Sequence, residues 1–495
     1  MTRDMFSSRL GEPPANAHLE YYRVPKFKEK MAFLWDSLLA LNRAQAIVLN
    51  EVGILESREV SEVLAVLTDL ESVDPDEFES YAEFGGPYLF IENRVIEELG
   101  PAVGGKLHTG RSRNDLFSAT LRVAVREQIL EIIGATLTLR EQLLARAAET
   151  TEVVFPAYTH SQPAQPITFA HYLLGFDHLI GRDVERLCRA FAETNRSPLG
   201  AAAIGGTGFP LNRERLAELS GFDGLVVNTY DAIASVDYLP ETTAAVALLM
   251  TNISRMSQDL LVWSMFELGF VELSNTMSTT SSIMPQKKNP GVLEKTRAYA
   301  NESIGQANST LISLKAVPYG DVGETTYLAY PFLGAASNAA DAIHLFAAVI
   351  DDIQLNDQRM YQVAQDSFCT MTELADTLVR AAGLSFRQAH EVVSTLVRAV
   401  YEDGRHAGQI TLSDLETAAS ITVGKSGLLT NEALVEALDP QTNVTRRDIL
   451  GGTAPKQNHD DLSRQRALLD EQTTWFHKTR DRLAAAKDAR ATVDR

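Results

Sequence analysis

A chain of 495 residues is well above the length at which a single hydrophobic core stops growing, so more than one core or domain is expected. Lys and Arg number 45 against 65 Asp and Glu, and the formal net charge of -20 argues against a nucleic acid or an anionic membrane as the main partner. The two cysteines, Cys188 and Cys369, have no spacing that reads as a disulfide framework or a zinc site.

In chain order, Met1–Phe27 lacks the apolar stretch of a signal peptide. The most apolar run, 244–253, is shorter than the roughly 18 residues of a membrane span, so the cytoplasm is the expected location. The first hundred or so residues mix short helical patterns with acidic turns. From Leu116 to about Thr150, Leu121, Val125, Ile129, Ile132 and Ile133 recur at helical spacing. Similar long runs cover about Phe169–Thr194, Glu241–Gly269, Gly291–Ser313 and Tyr330–Ile353. After about Asn356 the helices shorten, and strand patterns are scarce throughout. The expected fold is all-α, with an N-terminal helical domain (1–115), a central long-helix bundle (116–360) and a C-terminal helical domain (361–495).

The breaks between the long helices read as loops, and three carry candidate chemistry. In Thr276–Pro290, two serines (Ser281, Ser282) precede Gln286, Lys287, Lys288 and Asn289. A serine takes a proton from carbon only if backbone donors, a cation or a helix N-terminus hold its alkoxide. Lys287 and the helix expected after Pro290 supply part of that field. In Gly104–Asp115, Ser112, Arg113 and Asn114 set a hydroxyl, a guanidinium and an amide side by side, which suits a carboxylate. The plainer reading there is a helix cap at Asn114 or Asp115, and both can hold. In the loop 155–166, Thr159 and His160 can bond a carboxylate or pass a proton to a leaving group.

The string SSIMPQKKNP (281–290) closely resembles the signature of the fumarase/aspartase superfamily. GKLHTGRSRND (105–115) and YTH (158–160) are also similar to argininosuccinate lyase. So are SPLG (197–200), NTYDAIASVDY (228–238) and FRQAHE (386–391). The resemblance implies a helical protomer that joins three others in a twenty-helix homotetramer core, with each active site shared by three subunits. It implies reversible trans elimination across a succinyl unit, giving fumarate and an amine without a cofactor or metal. By the same resemblance, Ser281 is the base. Lys287 and Asn289 stabilise the aci-carboxylate, and His160 paired with Glu294 assists the leaving nitrogen. Ser112, Arg113, Asn114, Thr159, Ser282 and Tyr319 contact the substrate.

The amine half departs from that family. Its pattern L-P-x-x-Y-N-x-D-L-Q-E-D-K becomes VPYGDVGETTYLAY (317–330), with Tyr319, Asp321, Glu324 and Tyr327 in the region. D-R-D-F becomes Ser235-Val236-Asp237-Tyr238, and I-H-T-A-N-E becomes Pro87-Tyr88-Leu89-Phe90-Ile91-Glu92. The Asp after K-K-N-P becomes Gly291. Val236, Leu89, Phe90 and Ile91 point to a more apolar amine pocket, and so to an N-substituted aspartate other than argininosuccinate. Lyases acting on aminopolycarboxylic acids such as ethylenediamine-disuccinate are relatives of this kind. The alternatives are an argininosuccinate lyase with an unusual pocket and a non-catalytic homologue of the same fold.

Overall fold

The structure is a computed structural model, and it describes residues 15–73, 86–324 and 329–492. Tyr327 lies outside them. The fold is helical. The N-terminal part is α1 (Val24–Glu51), α2 (Ser57–Asp69) and α3 (Pro87–Leu99). Next come α4 (Arg113–Glu149), α5 (Phe169–Thr194), and the short α6 (Arg213–Leu219) and α7 (Thr229–Ala234). The long helices α8 (Tyr238–Trp263), α9 (Gly291–Leu314) and α10 (Ala329–Asp352) follow. Then come α11 (Asp357–Asp366), α12 (Met371–Ala382), α13 (Phe386–Glu402) and α14 (Leu412–Val423). The chain closes with α15 (Asn431–Leu438), α16 (Pro440–Thr445) and α17 (Pro455–Thr492).

The five long central helices close a ring. Helix α4 packs on α5, α5 on α8, α8 on α9, α9 on α10, and α10 back on α4. Helix α4 is buried over most of its surface, at Leu121, Val123, Val125, Ile129, Ile132 and Ile133, because α1 and α17 cover much of what the ring leaves open, and a stripe through Glu131, Thr138 and Ala145 stays exposed. In α10, the stretch Pro331–Asp352 has the length and apolar content of a membrane-crossing helix, but 61% of its most apolar window is buried against its neighbours. Its apolar surface thus serves the bundle. A separate apolar cluster joins Leu374, Leu378, Val392, Leu396, Leu415 and Leu434 across α12–α15.

The stretch 155–166, expected as a loop, is instead an antiparallel hairpin of β1 (Val154–Thr159) and β2 (Gln162–Thr168). Its three prolines hide the strand pattern. They are tolerated because the ribbon has only two strands, so both are edges.

One buried ion pair fastens three helices. Arg140 of α4 and Asp177 of α5 are both fully buried and meet in a two-pronged contact at 2.9 and 2.8 Å. Arg140 also donates to Gln472 (2.6 Å) and Gln465 (3.1 Å) of α17. Removing one partner strands the other charge in the core, a cost of about 3–5 kcal/mol. Arg140→Met is therefore expected to lower the denaturation midpoint sharply, and Arg140→Met with Asp177→Leu to recover much of the loss. A single variant as stable as the parent would refute this role.

Candidate active site

The loop expected to bind a carboxylate is built on the start of α4. Ser112 is its N-cap: its Oγ accepts from the Asn114 amide at 3.3 Å, and its own amide donates to Asp115 Oδ1 at 2.9 Å. The cap is thus Ser112, not Asn114 or Asp115, and Asp115 closes a capping box from the third helical position. Asp115 is fully buried, and its Oδ2 accepts from the amides of Gly200 (3.1 Å) and Ala202 (3.0 Å). One carboxylate therefore holds the 104–115 and 197–210 segments together. Ala202 adopts φ +50, a left-handed conformation rare for alanine, which aims its amide there. Gly104 is needed because a Cβ would lie 2.7 Å from the α3 backbone at Ile96.

Arg113 and Asn114 face a cavity of about 360 Å³ between α1, α3, α4 and the 321–323 segment. Tyr88, Leu89, Asp321 and Val322 line the same cavity. Two of the sequence departures are thereby brought onto the carboxylate loop within one chain. The others are not. Phe90 and Ile91 are buried in the core, because the 3.6-residue period of α3 turns them away from Leu89. Val236 also packs against the core rather than into this cavity.

Tyr319 anchors the cavity's outer segment. It stacks on Tyr230 of α7 with ring centroids 5.4 Å apart. Its hydroxyl donates to Asp231 at 2.9 Å, and Tyr230 donates back to the Tyr319 carbonyl at 2.8 Å. Beneath the cavity, Tyr88, Glu92, His108 and Arg111 form a polar cluster missed by sequence reasoning. Tyr88 Oη is 3.5 Å from His108 Nδ1, and Glu92 lies 3.9 Å from the same nitrogen. Their spacing along α3 carries no signal, because His108 comes from another element.

Ser281 and His160 lie at the other end of the bundle. The Ser281 loop hangs from a small stem in which Thr279 pairs with Asn289 and Thr280 with Lys288. Lys288 bonds Glu272 at 2.7 Å, just beyond α8. At the tip, Ser281 Oγ accepts from the amides of Met284 (3.1 Å) and Ile283 (3.4 Å). Ser282 and Lys287 are exposed, Asn289 is half-buried in the stem, and Glu294 is exposed in the first turn of α9. Thr159 and His160 sit exposed at the tip of the β1–β2 hairpin, which packs at the same end through Phe155 on Trp263 and Tyr158 on Phe270. His160 (φ +52) and Ser161 (φ +60) are both left-handed, as a tight two-residue turn requires. Among the described residues, no ion pair joins His160 to Glu294 within the chain.

The two ends are a helix apart. The Arg113 end of α4 adjoins the start of α8, since Ser118 bonds the Ala232 carbonyl (3.1 Å) and Arg122 stacks on Tyr238 (4.1 Å). The Ser281 loop leaves the far end of α8, and 26 helical residues span about 39 Å. A single chain therefore does not bring Ser281 to Arg113. Among the described residues, no group of three His, Cys, Asp or Glu is placed to hold a metal ion.

Burial and the nearby Arg111 push the His108 imidazole down to about 4, whereas burial raises the Glu92 carboxyl. As pH falls from about 6.5 to 4, the unfolded chain takes up a proton at His108 before the folded one does, so this residue's contribution to stability is lost across that window. Thermal midpoints of the parent and His108→Gln should diverge from neutral pH down to about 4, with the parent falling faster. Parallel curves would refute a buried, neutral His108.

Residues 30–305 match the family model described as Lyase, and residues 368–445 match argininosuccinate lyase C-terminal. Argininosuccinate lyase 1 of Shouchella clausii is 34% identical over 487 residues, covering 98% of this chain and 96% of that protein. Argininosuccinate lyase of Natronomonas pharaonis is 39% identical over 463 residues, covering 93% of this chain and 91% of that protein. Among solved structures, an EDDS lyase variant with bound fumarate is similar at a TM-score of 0.87 and 32% identity, covering 98% of this chain and 96% of that one. The chain belongs to the fumarase/aspartase superfamily, in its argininosuccinate lyase-like branch.

Proposed function

We propose that the protein is a cytoplasmic carbon–nitrogen lyase that removes an amine from an N-substituted aspartate by reversible trans elimination, releasing fumarate, with Ser281 as the base. One observation carries this reading: Ser281 Oγ already accepts from the amides of Met284 and Ile283. Those donors are what a serine alkoxide requires, and they cost no rearrangement at the moment of proton transfer. Lys287 and Asn289 flank the same tip and supply positive charge and a donor for the aci-carboxylate that forms when the proton leaves carbon. Arg113 and Asn114, at the N-terminus of α4 beside its cap Ser112, bind a substrate carboxylate. Thr159 and Ser282 add substrate contacts. His160, with Glu294, passes the proton that the leaving nitrogen needs.

The separation of Ser281 from Arg113 by the length of α8 supports a homotetramer whose sites are shared between subunits. Each subunit then gives its Ser281 loop to one site and its Arg113 loop to another. A second reading, argininosuccinate lyase itself, is favoured by the full-length similarity to curated enzymes of that name. The rewritten 317–324 segment weighs against it. Release of arginine from argininosuccinate at a rate no lower than from any other N-substituted aspartate would select it.

Ser281→Ala should lower kcat for fumarate formation by about 10³ with little change in KM, whichever amine leaves. Unchanged fumarate production would exclude Ser281 as the base. Ser281→Ala and Arg113→Ala, each inactive alone, should regain part of the activity when co-expressed, because mixed tetramers contain some sites with both residues intact. Persistent inactivity of the mixture, or gel filtration at monomer size, would contradict shared sites.

A further inference from the structure

A chain of hydrogen bonds runs from the buried Arg140–Asp177 pair to the surface, and it ends on a histidine. Arg140 donates to Gln472 Oε1 at 2.6 Å and to Gln465 Oε1 at 3.1 Å. An arginine side chain has no acceptor, so both glutamines of α17 must present their oxygens to it. Their amide nitrogens then face away. Gln472 donates to the Gly181 carbonyl at 3.1 Å. Gln465 meets the ring of His178 on α5, 3.1 Å from Nδ1 and 3.4 Å from Nε2. On its other side, His178 Nε2 lies 2.9 Å from Oδ2 of Asp461, one turn before Gln465 on α17.

These partners fix the roles of the ring nitrogens. A carboxylate accepts, so Nε2 carries the ring proton toward Asp461. An amide N–H donates, so Nδ1, the nearer nitrogen, offers its lone pair to Gln465. The neutral ring does both. A second proton would sit on Nδ1 and face the amide hydrogens of Gln465. Gln465 cannot turn over to accept it, because its amide would then face Arg140. The His178 side chain is 43% exposed, whereas Arg140 and Asp177 are fully buried. The described charges around the ring are Asp177 and Arg182 on α5, Arg140 on α4, and Asp461 with its partner Arg464 (3.2 Å) on α17. His171, two turns back on α5, also feels Asp461. Helix α8 meets α5 on a different face, through Tyr172–Asp259 and Asp183–Asn252.

We propose that His178 is a pH-sensitive latch on α17. Neutral, it holds Gln465 against Arg140. Protonated, it keeps Asp461 as an ion pair and releases Gln465, so the 461–472 stretch of α17 loosens from α4 and α5. The Arg140–Asp177 pair beneath stays closed, so the change is a local opening and not an unfolding.

The test is amide hydrogen exchange on the full-length protein at about pH 8 and about pH 5.5, corrected for the intrinsic exchange rate. Protection across 459–475 should fall by roughly tenfold on acidification, the equivalent of one lost hydrogen bond. His178→Asn keeps an acceptor at the Nδ1 position and takes up no proton, so its protection should stay within about twofold over the same range. Gln465→Glu sets a carboxylate between Arg140 and His178 that accepts from both, so its protection should rise on acidification instead. A contact that only holds the helices together would weaken by the same factor at both pH values. Unchanged protection in the parent would overturn the latch. So would an acid-induced fall in His178→Asn or Gln465→Glu equal to that of the parent.

Discussion

The length of the bundle helices governs the rest of the structure. A helix of 26 residues is rigid over about 39 Å, and α8 sets its two ends that far apart. The chain has placed the Arg113 loop at one end and the Ser281 loop and His160 hairpin at the other. No side-chain motion spans that distance. Under the proposed lyase reading, chemistry is therefore tied to assembly, with a neighbouring subunit returning one end to the other. The length that makes a stable, well-buried core also keeps the two candidate loops apart within one protomer.

Buried charge serves two purposes in this fold. The Arg140–Asp177 pair, ringed by two glutamines of α17, is wholly internal and ties the C-terminal helix to the ring. Each charge there is matched and hydrogen-bonded, which is what makes burial tolerable. Asp115 does related work nearer the surface. It accepts from the amide of the α4 cap Ser112 on one side and gathers two backbone amides of the 197–210 segment on the other. Arg113 and Asn114 follow the cap directly, so their placement at the cavity depends on a residue that does not itself line it.

The two loops at the far end differ in how they are held. The Ser281 tip is pinned by its own backbone: a short paired stem below and two amides closing on the hydroxyl above. His160 sits instead in a turn whose two central residues both take left-handed conformations without being glycine. That arrangement costs on the order of 1 kcal/mol or more per residue, and the packed hairpin beneath it supplies the compensation.

The amino-acid sequence alone determined the helical class and the five long helices, because apolar residues at three- and four-residue spacing leave few other ways to bury them. It also determined the superfamily, since SSIMPQKKNP and GKLHTGRSRND combine residue types whose joint occurrence is specific. Tertiary structure decided what local pattern does not encode. Prolines hid the β1–β2 hairpin. The Asp115 junction and the His108 cluster join segments far apart in the chain. Of the altered residues, Leu89 was separated from Phe90, Ile91 and Val236 only by the direction each side chain faces. Composition alone could not tell a cavity wall from a core, because both are made of the same apolar residues and differ only in what packs against them.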